Sequence, residues 1–202
     1  MSNKLKVFFL FISICIICQS LKSQLLDSTA LDTVKLYTSI EEALKNPEKV
    51  IKLSLKKQKL IDVPEELYKF KNLQYLDLSK NKLNYFPARL KELQNLQYLN
   101  LERNKIQQIS GEIGQMKNLK WLILNMNEID QIPPEIGALK KLRMLDLWGN
   151  NFGSLPDEIA DLKDLKVLDL RVISMSYEEQ DRIKMLLPHV KIYMSKGCDC
   201  GF

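Results

Sequence analysis

A repeated pattern with a constant period restricts the fold of this chain more than any other feature. The segment LQYLNLERNKIQQIS at 96–110 has the counterparts LQYLDLSKNKLNYFP at 73–87 and LKWLILNMNEIDQIP at 119–133, so the period is 23. Leucine recurs at the first, fourth and sixth positions, asparagine at the ninth, and an aliphatic residue at the eleventh. This spacing is neither the 3.6-residue period of a helix nor the alternation of a long strand. A fixed period of this length is typical of small structural units that stack on one another.

The leucines at the fourth and sixth positions predict a short strand in every unit. They flank one residue, so both point to the same side of a strand, while the third, fifth and seventh positions point to the other side. One unit cannot bury its leucines alone, and the units must therefore stack into a continuous array. The predicted units cover 50–72, 73–95, 96–118, 119–141, 142–164 and, in part, 165–175.

The repeated pattern resembles that of the leucine-rich repeat family, L-x-x-L-x-L-x-x-N-x-L. The second halves of the units, such as IPPEIGAL and LPDEIADL, are similar to the LPxxI form of bacterial and plant-type members. The resemblance implies an α/β fold: a curved, horseshoe-shaped solenoid of about six repeats, with a parallel β-sheet on its concave face and helical caps. It also implies a protein that binds proteins, peptides or glycans and is not an enzyme.

The asparagine at the ninth position is expected to be structural. An amide side chain both donates and accepts hydrogen bonds, so it can satisfy backbone groups where the chain turns away from the sheet. None of these asparagines begins an N-x-[ST] glycosylation signal. The predicted buried ladder consists of Asn81, Asn104, Asn127 and Asn150.

Two capping boxes flank the repeats. Ser39 with Glu42 and Ser176 with Glu179 each match the S-x-x-E pattern that starts a helix. An array of this kind exposes apolar surface at both ends and needs a cover there. The predicted caps are 38–49 at the N-terminal end and, at the C-terminal end, 176–202, which comprises a helix, a closing strand in VKIYM and a tail with a Cys-x-Cys pair.

Residues 1–23 are typical of a secretory signal peptide. A basic start is followed by an apolar run from Val7 to Cys18 and then by small and polar residues. The apolar run is too short to cross a bilayer comfortably, although an uncleaved membrane anchor is the alternative. The isoleucines before its two cysteines argue against a lipid anchor. We therefore expect export, a secreted, periplasmic or cell-envelope location, and a flexible mature N-terminus over 24–37 without a membrane span.

Charge and composition exclude some partners. The chain has 30 basic and 25 acidic residues, and removal of residues 1–23 takes away three lysines and leaves a net charge of +2. A chain so nearly neutral gives no basis for nucleic-acid binding. We predict a monomer without a cofactor.

Reactive residues are few. The single histidine, His189, adjoins the predicted closing strand and is expected to be structural or exposed. Cys198 and Cys200 are too few to hold a metal ion, and no metal site is predicted. In an exported protein they would form a local or intermolecular disulfide, with a redox role as the alternative. No catalytic motif is found, so we predict no catalytic residues.

The outward-facing strand positions carry the candidate binding residues. Aromatic residues and methionine are enriched at protein interfaces, and a cluster of them on a soluble protein indicates a protein or peptide ligand. Mutual stacking that stiffens the sheet is the structural alternative. The predicted binding residues are Tyr75, Tyr98, Trp121, Ile123, Met126, Met144, Trp148 and Arg171.

Three further interpretations stay open. A glycan could stack on the same rings and use Asp77, Asn100 and Asp146 as polar contacts. A structural protein could assemble through VKIYM or through the cysteine tail. The first repeats are rich in lysine, which indicates either an acidic ligand or a solvated edge.

Overall fold

The computed structural model describes residues 25–196, which form two compact units that divide after Val34. The described part of the first unit contains helix α1 (Ser28–Thr33). The Asp27 carboxylate caps this helix by accepting a hydrogen bond from the Ala30 amide at 2.8 Å. The predicted signal peptide and the cysteine tail lie outside the described residues.

The second unit is built on a parallel sheet of eight strands in sequence order. From β2 to β7 each strand begins at the same position of its repeat, and equivalent leucines lie side by side, as Leu53, Leu76 and Leu99 do. The strands are β1 (Leu36–Tyr37), β2 (Lys52–Ser54), β3 (Tyr75–Asp77), β4 (Tyr98–Asn100), β5 (Trp121–Ile123), β6 (Met144–Asp146), β7 (Val167–Leu170) and β8 (Lys191–Met194). This arrangement confirms the predicted solenoid.

Short 3-10 helices return the chain on the opposite side of each coil. They are Pro47–Lys49, Glu65–Lys69, Ala88–Glu92, Gly111–Gln115, Pro134–Ala138 and Asp157–Asp161. Neighbouring helices approach closely, and a Cβ atom added to Gly137 would lie 2.4 Å from the carbonyl oxygen of Glu158. Glycine is therefore required where these two backbones meet.

The core lies between the sheet and the 3-10 helices. The leucines at the fourth and sixth positions are completely buried, as Leu122 and Leu124 show, and Ile136 meets them from the helical side. Each fully buried side chain of this type stabilises the fold by about 1.5–3 kcal/mol. The strand leucines thus fix the sheet in place and leave its other face to solvent.

The asparagines form a ladder beside the core. The Asn127 amide group donates to the carbonyl oxygens of Leu101 at 3.0 Å and Leu124 at 2.9 Å, and its oxygen accepts from the Ile106 amide at 3.1 Å. Each asparagine therefore ties its own turn to the preceding repeat. The same pattern recurs at Asn81, Asn104 and Asn150.

The N-terminal end differs from the sequence-based expectation. The segment over 24–37 was expected to be flexible, but it contains α1 and β1, and β1 extends the sheet by pairing Leu36 with Lys52. These two partners are closer in sequence than one repeat length, so the period does not reveal the pairing. Helix α2 (Ile40–Ala43) is short, and Ser39 accepts from the Glu42 amide at 3.3 Å. The Glu42 carboxylate instead binds Lys35 at 2.7 Å, so only half of the capping box forms.

The C-terminal end is covered by helix α3 (Tyr177–Leu186) and strand β8. Ser176 caps the helix by accepting from the Glu179 amide at 3.2 Å. The Glu179 carboxylate accepts from the Leu155 amide at 2.9 Å and pairs with Arg182 at 2.7 Å. The helix is thereby fastened to the last complete repeat.

Candidate functional site on the concave face

The solvent side of the sheet carries two long rows of side chains in register. Neighbouring members of a row stand about 4.8 Å apart because their strands are hydrogen-bonded partners. The third-position row is Lys52, Tyr75, Tyr98, Trp121, Met144, Val167 and Lys191. The fifth-position row is Ser54, Asp77, Asn100, Ile123, Asp146, Asp169 and Tyr193. We call this surface the concave face.

The two tyrosines of the third-position row stack on each other. The ring centroids of Tyr75 and Tyr98 are 4.3 Å apart and the rings are inclined by only 7°. The Lys52 ammonium lies 5.2 Å from the centroid of Tyr75. Burial raises the pKa of both phenols. This pair stiffens the sheet as cross-strand pairs do, and it offers a ligand less ring surface than two separate tyrosines would.

Trp121, Met126, Met144 and Trp148 form an apolar patch at the middle of the concave face. Trp121 and Met144 are partners in register, and the Met126 amide donates to the Trp148 carbonyl at 2.8 Å. Met126 is 39% exposed and the other three are half-buried. In the part of the chain described, neither tryptophan belongs to a stacked ring pair. We call these four residues the apolar patch.

Ile123 was expected to be exposed, and this is wrong. It is only 9% exposed. Its side chain lies on the same face as Trp121 and Asn125, two residues away on either side, and between Asn100 and Asp146 of the adjoining strands. A residue at the centre of the face is enclosed by such neighbours, so Ile123 offers a ligand little surface.

The acidic and amide residues of the fifth-position row cap the ends of their strands. The side-chain oxygen of Asp77 accepts from the Ser79 amide at 2.8 Å, and that of Asp146 accepts from the Trp148 amide at 3.2 Å. Asn100 and Asp169 make the same bond to the residue two positions on. These are Asx-type turns, and the recurrence of Asp or Asn at this position was the signal that sequence reasoning missed.

Burial raises the pKa of the Asp146 carboxyl, and the hydrogen bond from Asn125 opposes that shift only in part. Arg171 is exposed, but its guanidinium is fixed against the Asp169 carboxylate at 2.6 Å and lies 5.5 Å from the centroid of Tyr193. Arg171 therefore lies toward the C-terminal end of the concave face, and its charge is already paired with Asp169.

No group of three potential metal ligands occurs in residues 25–196. His189 is exposed and follows Pro188. None of the helices in this same range is long and apolar enough to span a membrane.

Comparison with known proteins assigns the repeats. Two family models match, one described as leucine rich repeat over residues 48–106 and one described as leucine-rich repeat region over residues 103–186. A search of curated proteins gave no match. A leucine-rich repeat protein of Leptospira interrogans is similar in structure, with 36% identity and a TM-score of 0.66 over 81% of this chain and 47% of that chain. The chain thus spans about half the length of that relative.

Other solved structures agree. The leucine-rich repeat ectodomain of the Arabidopsis thaliana receptor kinase GASSHO1/SCHENGEN3, in complex with CASPARIAN STRIP INTEGRITY FACTOR 2, is 31% identical with a TM-score of 0.57 over 72% of this chain and 17% of that chain. An internalin of Listeria monocytogenes shares the fold at 19% identity, with a TM-score of 0.60 over 87% of this chain and 51% of that chain. Together with the repeat period and the parallel sheet, these matches show that the chain belongs to the leucine-rich repeat family.

Proposed function

We propose that this protein is an exported, non-enzymatic binding module that holds a protein or peptide against its concave face. The observation that carries the proposal is the apolar patch. Four large apolar side chains keep part of their surface in solvent, although the leucines of the same strands are completely buried. Tryptophan and methionine in such positions are enriched at protein interfaces, and tryptophan at the residues that dominate binding energy.

The backbone that carries the apolar patch is held in place before any ligand arrives. Its members come from β5 and β6 and the turns after them, which are joined by ladder hydrogen bonds and rest on buried leucines. A pre-formed surface loses little conformational entropy on binding, so more of the interaction energy becomes affinity. Leucine-rich repeat folds commonly mediate protein–protein interaction, and the plant relative was solved with a partner bound.

A glycan ligand is less well supported. The polar groups that would hold a sugar are Asp77, Asn100 and Asp146, and each uses a side-chain oxygen to cap a strand. Withdrawing that oxygen would leave a backbone amide without its partner.

Affinity capture tests the proposal. The purified full chain is immobilised and exposed to the producing cell's envelope and medium, beside a variant carrying Trp121→Ala and Trp148→Ala. The matched control carries Ile61→Ala and Met185→Ala, because these residues are 72% and 75% exposed and lie outside the concave face. We expect a partner that the unaltered chain and the control retain and the tryptophan variant loses. Equal capture by all three proteins would contradict the proposal.

Export is tested separately. N-terminal sequencing of the protein recovered from its producing cell should find a mature chain that begins near Gln24. A chain that still begins at Met1 would contradict export by a cleaved signal peptide.

A further inference from the structure

Basic side chains are concentrated where the strands of the first repeats end. The seventh, eighth and tenth positions of the units 50–72, 73–95 and 96–118 hold seven basic residues and one acidic residue. The same positions of the next three units hold one of each, beside Met126, Trp148 and Val172. We define the basic edge as Lys56, Lys57, Lys59, Lys80, Lys82, Arg103 and Lys105.

The charge of the basic edge is almost uncompensated. Arg103 pairs with Glu102 at 3.2 Å. The six lysines form no salt bridge with any residue that the structure describes. Backbones of adjacent repeats are about 4.8 Å apart, which is less than the screening length of about 8 Å at physiological salt. The lysines therefore repel one another, and an anion that lies along them relieves the repulsion.

The backbone at the basic edge is strained. Lys57, Lys59, Lys80 and Arg103 all have positive φ angles, between 53° and 60°. The equivalent of the eighth-position residues in the fifth unit is Gly149, with φ of 67°. Side chains with a Cβ atom are disfavoured in this left-handed conformation, and glycine is not. Met126 and Val172 have the same left-handed conformation, so it belongs to the turn of every repeat, and the basic side chains occupy positions where glycine would suit the fold better.

The basic edge runs directly into the apolar patch. The eighth positions follow one another as Lys57, Lys80, Arg103 and then Met126, and the Arg103 amide donates to the Asn125 carbonyl at 3.0 Å across this boundary. A ligand that crosses the strands meets positive charge first and apolar surface next.

We propose that the partner is a peptide segment in which acidic residues adjoin an apolar stretch. The acidic residues lie along the basic edge and the apolar residues on the apolar patch. This inference rests on the proposed function and specifies its ligand. Three repeats span about 10 Å along the sheet, which an extended chain covers with about three residues. An acidic run of that length is therefore sufficient.

A random peptide library displayed on phage tests the inference without a known partner. The library is selected on the purified full chain, and affinities of the enriched peptides are then measured for three variants. The first carries Lys57→Gly, Lys80→Gly and Arg103→Gly. The second carries Trp121→Ala and Trp148→Ala. The control carries Lys117→Gln, Lys140→Gln and Lys163→Gln, which removes the same charge from exposed lysines outside the concave face.

We expect enriched peptides with an acidic run next to aromatic or aliphatic residues. The glycine variant should bind them about tenfold more weakly, since each exposed charge pair contributes a factor of about two to five. Its midpoint of urea unfolding should equal or exceed that of the unaltered chain, because glycine relieves the strained backbone. The control should bind as the unaltered chain does.

Three results would overturn the inference. Enriched peptides that depend on the tryptophans but show no acidic bias would leave the proposed function in place and remove the acidic ligand. An absence of any enriched peptide would remove the acidic peptide ligand, and affinity capture would then decide the proposed function by itself. Retention on heparin beads that depends on the basic edge and not on the tryptophans, without acidic peptides, would assign the edge to a sulfated polysaccharide.

Discussion

Replacing an asparagine at either end of the ladder by alanine should destabilise the protein more than replacing one in the middle. Replacement of Asn127 by alanine removes the hydrogen bond that the Ile106 amide donates, and no other asparagine can accept it. The two carbonyl oxygens keep a partner, because Leu101 still accepts from Asn104 at 2.9 Å and Leu124 from Asn150 at 3.1 Å. One buried unsatisfied amide costs about 1–3 kcal/mol. With the weakened carbonyls we expect about 2–4 kcal/mol for Asn127→Ala.

Asn150 lies at the end of the ladder, and its replacement should lower the free energy of unfolding more than that of Asn127. The ninth position of the next unit is Ile173, so the Leu147 carbonyl loses its bond from Asn150 at 2.7 Å with no second asparagine to replace it. A further orphaned polar group adds about 1 kcal/mol or more. Asn150→Ala should therefore cost about 3–5 kcal/mol, and Asn81→Ala likewise, because the Leu55 carbonyl depends on Asn81 alone among the asparagines.

Urea unfolding followed by tryptophan fluorescence and circular dichroism gives these free energies, with unchanged slopes as evidence of a single transition. Asn84→Ala is the control, since Asn84 is exposed and outside the ladder. The reasoning would be refuted if Asn127→Ala lowered the free energy of unfolding as much as Asn150→Ala does, or more. It would also be refuted if the control Asn84→Ala lowered it as much as either ladder variant.

Three further predictions concern single positions. Gly137→Ala should destabilise the protein by about 1–3 kcal/mol because of its clash with the Glu158 carbonyl, whereas Gly153→Ala, where the nearest atom is 3.8 Å away, should be neutral in the same urea titration. Val172→Gly should raise the free energy of unfolding by about 0.5–1 kcal/mol, since Val172 is 65% exposed with φ of 56° and the left-handed strain exceeds the entropy that glycine adds to the unfolded chain. Asp146→Asn should stabilise the protein at pH 7, because the fold raises the pKa of Asp146 and so penalises its ionised form. The gain should shrink as pH falls through the raised pKa of the folded state and be lost below the unfolded-state pKa of about 3.9; a gain independent of pH would contradict this.

Several local features of the fold were readable from the sequence because they repeat. The leucines at the fourth and sixth positions and the ninth-position asparagines recur in register. Because the units stack, each set has the same role in every unit: the leucines fill the core, and the asparagines join the turns of adjacent repeats. Strand β1 was missed for the opposite reason. Leu36 pairs with Lys52 at a sequence spacing that occurs only once among the described strand pairs, so the repeat period does not predict this pairing.

The candidate site was readable only in part. The sequence indicated which residues face outward, but it did not distinguish Tyr75 and Tyr98, which stack on each other, from Trp121, which does not. It also treated Asp77 and Asp146 as available polar groups, whereas their oxygens cap the strands. The stacking depends on side-chain orientation and leaves no trace in periodicity, whereas the capping does leave one in the recurrence of Asp or Asn at the fifth position.

The sequence by itself determined that this chain stacks units of equal length into a solenoid, because no unit can bury its own leucines. Only the tertiary structure decided which outward side chains keep surface for a partner. The exposed fraction of Ile123 or Met126 depends on side chains along the same strand and on side chains of the adjoining repeats. These neighbours come together only when the sheet is assembled.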